Sequence, residues 1–113
     1  MQTGVIEVGE KIHLITRRHF KEDVRRHFCG VVTAIDGSAM RVEGFTFIVS
    51  PIGLEVRKLN GLRTRIFGVT SADNIINILP PHVDISRLIY KARANTLAVT
   101  DGQDFWLEVN EHL

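Results

Sequence analysis

Two copies of an Arg-Arg-His-Phe tetrad, Arg17 to Phe20 and Arg25 to Phe28, place four arginines and two histidines within twelve residues. Guanidinium groups are permanently charged and present a planar fork of donors, so the chemistry this cluster suits is the capture of phosphate or carboxylate. If Lys21 to Val24 close a hairpin, Phe20 stands opposite Arg25 and Arg18 opposite His27. Alternation along the strands then gives one face Arg18 and Arg25 and the other Arg17 and Arg26. Neither face can take its arginines into a core, so the tip is expected to meet solvent or an anionic partner. A register slip would exchange the faces without removing the charge. Lys21 belongs to the same tip, and Arg57, Lys58, Arg63 and Arg65 further along the chain are candidates to extend a phosphate-binding surface.

The other reactive side chains assemble into nothing recognisable. His13, His19 and His27 lie near the same hairpin, but the register above puts His27 on the face opposite His13 and His19. No His-x-x-x-His helix or cysteine cluster joins them, so no metal site is expected. Cys29 is the lone cysteine; two residues from His27 on a strand, it sits about 7 Å away, too far for a nucleophile–base pair. There is no phosphate-cradling glycine loop. The sequence therefore reads as that of a binding protein without catalysis or cofactor.

These side chains need strands to hold them, and strand signals are dense. Residues 11–16, 28–35 and 40–49 are rich in β-branched and aromatic types. Asp36-Gly37 forms a turn between the second and third, and Ser50-Pro51 ends the third. Residues 54–58 and 63–69 read as strands joined at Asn60-Gly61, and 74–79 as a short apolar strand stopped by Pro80-Pro81. Beyond it, residues 84–92 read as one helical turn capped by Asp84 or, from the spacing of Ile85, Leu88, Ile89 and Ala92, as a longer helix. A meander through Ala94-Asn95 and Asp101-Gly102 ends in 105–109. Many short strands with turn pairs between them predict a mainly β fold, a barrel or sandwich.

The 113 residues suit one domain, 1–113, and the hydrophobic fraction of 44% suits a packed core. A net charge of +1 argues against a uniformly basic nucleic-acid coat, but residues 1–65 carry eleven of the fourteen Lys/Arg and only seven of the thirteen Asp/Glu. The basic and acidic halves are expected to face different partners, or each other between subunits. No apolar run approaches a membrane span and no basic-then-apolar leader opens the chain, so a cytoplasmic protein is expected.

Gly30-Val-Val-Thr-Ala-Ile-Asp36, with Gly9-Glu-Lys before the first strand and Ala72-Asp-Asn-Ile-Ile-Asn-Ile-Leu-Pro80 at the last, resembles the signatures of the Sm and Sm-like RNA-binding family over residues 9–80. The resemblance implies a small, strongly bent five-stranded barrel of Sm-like or SH3-like type, with residues 84–113 an added C-terminal β-meander. It implies homo-oligomeric rings joined at the last strand, giving Ile75, Ile76, Ile78 and Leu79 an interface role, and single-stranded RNA as partner. Of the family's uridine-gripping positions only Asp36 matches. Ser38 stands at the stacking position, Met40 (or Arg41, allowing one insertion) at the asparagine, and Ser71-Ala72 replaces Arg-Gly, so base-specific reading is not expected. A partial resemblance to the cyclic-dinucleotide-binding PilZ family rests on Asp36-Gly-Ser38 after a basic cluster, but Arg41 replaces the following glycine. The alternative to RNA binding is a structural adaptor ring that contacts protein partners through Trp106 and the acidic C-terminal half.

Overall fold

A computed structural model describes residues 5–17, 24–50, 55–70, 73–93 and 96–109. Among these residues nine strands follow one another: β1 (Lys11–Thr16), β2 (Arg25–Asp36), β3 (Ala39–Val49), β4 (Val56–Lys58), β5 (Arg63–Gly68), β6 (Asn74–Leu79), β7 (Ile89–Arg93), β8 (Thr96–Thr100) and β9 (Trp106–Glu108). All pairings are antiparallel. The only helical element among the described residues is a 3-10 turn, Ile85–Arg87. Asp84 caps it by accepting from the Ser86 hydroxyl at 2.7 Å and the Ser86 N–H at 3.0 Å. The hydroxyl first, and then the N–H, hold the Asp84 carboxyl below the usual range. Proximity of β7 ends the helical option at once: from Ile89 onward the chain pairs with β8. No helix among the described residues is long and apolar enough to cross a membrane.

The first six strands make one sheet ordered β4-β3-β2-β1-β6, with β5 also on β3. β4 and β5 are successive pieces of one return strand. Phe47 opposes Lys58 while Gly44 opposes Arg63, so three steps along β3 are matched by five along the return strand, and the excess is taken up around Gly61 at φ +94°. The β2–β3 hairpin turns through Gly37, at φ +62°, where a side chain would be strained.

Both faces of this sheet carry buried apolar residues. Its concave face carries Ile12, Leu14, Phe28, Val32, Met40 and Val42, against which Ile6, Phe67, Val69 and Ile76 pack. Gly30 and Gly44 stand opposite each other in the middle of that face. Lacking side chains there, β2 and β3 approach closely and the sheet can bend. The reverse face, with Cys29, Phe47, Val49 and Leu79, packs on Val83, Ile85, Leu88, Leu97, Val99 and Val109 of the C-terminal meander, a second sheet ordered β7-β8-β9. Strand β2 is thus buried on both faces at Phe28 and Cys29, which accounts for its unbroken run of apolar residues.

The architecture is mainly β with antiparallel sheets, as the residue pattern implies. The closed barrel is not formed: no strand ladder joins β5 to β6. Where such a ladder would run, a side chain intervenes, Asn74 Nδ2 donating to the carbonyl of Gly68 at 3.1 Å. The added meander lies on the reverse face and leaves the outer edge of β6 without a strand partner among the described residues.

Candidate anion-binding face

Strand register decides which of the sequence's basic residues work together. Thr16 pairs with Arg26, not further along the hairpin, so Ile15 rather than Arg18 stands opposite His27. Arg18, His19 and Lys21 lie outside the described residues. Reading across the sheet, Asn74, Thr16, Arg26, Ile48 and Arg57 form one row spanning β6, β1, β2, β3 and β4. Arg63 and Arg65 of β5, opposite Gly44 and Val42, share that concave side. All four arginines are exposed, and no ion pair engages Arg26, Arg57 or Arg65 among the described residues. Arg26 and Arg57 are two strands apart, about 10 Å at the usual strand spacing. That is a distance over which a nucleic-acid backbone could engage both. One carboxylate, Glu55, lies beside Arg57 at the rim of a shallow depression with Val24, Ile48 and Ser50.

Arg26 and Arg65 also line a recess of about 230 Å³ whose walls include Thr16, Phe28, Thr46 and Phe67. The Phe28 and Phe67 rings meet at 5.4 Å between centroids, tilted by 59°. Thr46, on the same side as Phe28, is 6% exposed, and its hydroxyl has no hydrogen-bond partner among the described residues.

The remaining basic positions fall elsewhere. Arg25, opposite Val49, turns to the reverse face and is half-buried. Lys58 also points there. Its ammonium sits 4.3 Å from the centre of the Phe45 ring and donates to the Ser86 carbonyl at 3.1 Å, so it fastens the meander to the sheet. Arg17 is exposed, with its backbone N–H on the Asp73 carbonyl. Asp36 lies at the far end of β2 from Arg26 and takes no part in this face. Of the four β6 residues, Ile78 is 48% exposed, Ile75 and Ile76 are half-buried, and Leu79 belongs to the inter-sheet core.

On the reverse face the same register overturns one expectation. His13 and His27 are on the same side, not opposite sides, because Thr16–Arg26 pairing places His13 and Ile15 across from Cys29 and His27. Both imidazoles are fully buried between the sheets, and the Tyr90 hydroxyl bridges them, 2.7 Å from His13 Nε2 and 2.6 Å from His27 Nδ1. With the Asn77 amide nitrogen facing His13 Nδ1 at 3.3 Å, Asn77 donates to His13, His13 Nε2–H to Tyr90, and the Tyr90 hydroxyl to His27. Burial pushes the Tyr90 hydroxyl well above its ordinary value near 10 and, next to it, drives the Cys29 thiol upward. A thiol kept protonated is a poor nucleophile. Nothing in the residue pattern marked Tyr90 or Asn77, since both partners lie more than sixty positions from their histidine.

A third grouping, His82, Asp101 and Asp104, brings its ligand atoms within 4.8 Å of one another at the surface. His82 Nε2 already bonds Asp104 at 3.2 Å, and Asp101 accepts the N–H groups of Gln103 and Phe105 in a turn. No protein-family model, curated protein or solved structure matches the chain.

Proposed function

We propose that the chain is a non-catalytic, Sm-like binding protein that takes single-stranded RNA or another polyanion on its arginine face and associates with further copies of itself. The observation that carries the reading is the alignment of Arg26, Arg57, Arg63 and Arg65 on the one sheet face that the meander leaves open. Four exposed guanidinium groups on a concave surface create a positive field, and phosphate contacts there would release counterions. The barrel-like part of the reading draws on the bent sheet, the central Gly30–Gly44 pair and the return of β6 to β1.

Binding to a single-stranded oligonucleotide should then weaken steeply with salt, with a log–log slope of about −2 to −3 for three or four contacts. Arg26→Ala with Arg57→Ala should flatten that slope by about one unit or more, with little change in stability because both side chains are exposed. Absence of binding even at low salt would remove the RNA reading and leave the adaptor, for which the 38% exposed Trp106 on β9 would be the contact to pursue.

Self-association rests on β6, whose outer edge, beside exposed Ile78, has no strand partner among the described residues. Ile78→Lys should lower the mass seen by light scattering while leaving the fold intact, since that side chain is half in solvent. A parent protein that is already a monodisperse monomer would contradict the assembly.

A further inference from the structure

The Tyr90 hydroxyl is one oxygen shared by two histidines on neighbouring strands of the first sheet, while Tyr90 itself belongs to the second. The bridge therefore joins the sheets, and its protons are counted. Asn77 donates to His13 Nδ1, His13 gives its one proton to Tyr90, and Tyr90 gives its own to His27 Nδ1. A further proton on either imidazole enters at Nδ1 and sets a donor against a donor. Turning the Asn77 amide over rearranges the bonds for one extra proton but not for two, and it leaves the new charge in place. That charge would be fully buried. The charged groups on this side of the first sheet are Lys11 on β1, Arg25 on β2 and Lys58 on β4, all cations, beside the neutral Cys29 thiol. The carboxylates on this side, Glu43 of β3 and Asp84 at the 3-10 turn, are exposed, and Asp84 is held by Ser86. Arg87 of that turn is exposed as well. The meander turns Tyr90, Val99 and Leu107 inward and keeps Lys91 and Glu108 on its outer side.

We infer that the His13–Tyr90–His27 bridge is an acid-released clasp: proton uptake by its imidazoles parts the C-terminal meander from the first sheet, while that sheet keeps its concave core. The two cores are separate clusters. The one around Cys29, Phe47, Leu97 and Val99 fills the layer between the sheets, whereas Ile12, Leu14, Phe28, Val32, Met40 and Val42 pack within the first sheet alone. Local opening of one cooperative layer without the other is an ordinary mode of protein motion. Once the layer parts, both imidazoles meet water, where histidine takes up a proton near pH 6.5. The open form then binds more protons than the closed form, so acid favours it. Its population rises about thirtyfold from about pH 7.5 to about pH 5 for one imidazole, and about a thousandfold for both. None of the arginines of the concave face takes part, so the clasp stands or falls apart from RNA binding.

Cys29 reports the opening, because it is fully buried in that layer and lies directly across from His13. The whole chain is treated with 4,4′-dithiodipyridine, which reacts with thiols in acid, and free cysteine serves as the reference at each pH. Relative to the reference, the Cys29 rate should rise about thirtyfold or more from about pH 7.5 to about pH 5. His13→Gln with His27→Asn keeps amide groups near the bonding positions but removes the titration, so its relative rate should stay within about threefold across the same range. If that variant does not fold, nitrogen NMR of the parent's imidazoles decides. Both rings should keep their neutral signals for as long as the closed-form amide signals persist, and either ring taking up a proton with those signals unchanged would overturn the inference. Hydrogen exchange, corrected for its intrinsic pH dependence, separates release of the meander from unfolding. On acidification the β8 amides should lose protection about tenfold or more while those of the β2–β3 ladder at Val32 and Val42 keep theirs. Loss of protection in step across both sheets, or a Cys29 rate that simply follows the reference, would overturn it too.

Discussion

Gly44→Ala is expected to destabilise the protein by about 3 kcal/mol, enough to leave much of the chain unfolded if its stability lies at the low end of the usual range. A methyl group built at Gly44 would run into the carbonyl oxygen of Cys29 and lie 2.5 Å from the Cα of Gly30. Both obstacles are backbone, which cannot rotate aside as a flexible side chain would. Relief would require β2 and β3 to separate where they approach most closely, and that opens the concave core between Leu14 and Met40 together with the face that carries Arg26 and Arg65. Gly30→Ala should behave alike, its methyl falling 2.5 Å from the Glu43 carbonyl oxygen. Urea denaturation followed by circular dichroism measures both. A Gly44→Ala midpoint equal to the parent's would show that the two strands are not in contact there.

Tyr90→Phe carries the other large effect. Deleting one oxygen strips a hydrogen bond from His13 and another from His27 between the sheets. Each bond lost from a buried group costs about 1–3 kcal/mol, so the pair should cost about 2–5 kcal/mol. The same variant has a pH signature. Tyr90 and Cys29 both have their folded-state values raised by burial, above ordinary values of 10.0 and 9.0. In the folded protein they hold their protons after the unfolded chain has released them. Their contribution to stability is therefore complete below about pH 9 and is lost as pH rises beyond it, by about 1.4 kcal/mol per pH unit for each group. The parent should lose stability steeply above pH 10, and Tyr90→Phe should start lower but fall about half as fast. Parallel curves for the two proteins would place the Tyr90 hydroxyl outside the core.

Local patterning made most strands legible, and β1 and β6 fall where β-branched runs and proline stops put them. The capped turn at Asp84 and the following meander were also readable, because cap chemistry and turn dipeptides are local signals. What the residues could not declare was register. A hairpin loop drawn as Lys21 to Val24 differs in parity from the observed Thr16–Arg26 pairing, and parity alone decides which face a side chain takes. That one difference separated His13 from His27 on paper and hid their shared partner. The arginines show the same division. Their charge and exposure were evident from composition, but bringing Arg26 and Arg57 into one row depends on two successive pairings, and Lys58, one residue on, faces the other way.

The arginine face is tested most directly by mapping backbone amide shifts of the isotopically labelled protein as a short single-stranded RNA is added at low salt. The expected result is a continuous set of shifts along the row from Thr16 through Arg26 and Ile48 to Arg57, joined by Arg65, fading together as salt is raised. Shifts gathered instead around His82, Asp104 and Trp106 on the meander, or none at any salt concentration, would contradict it.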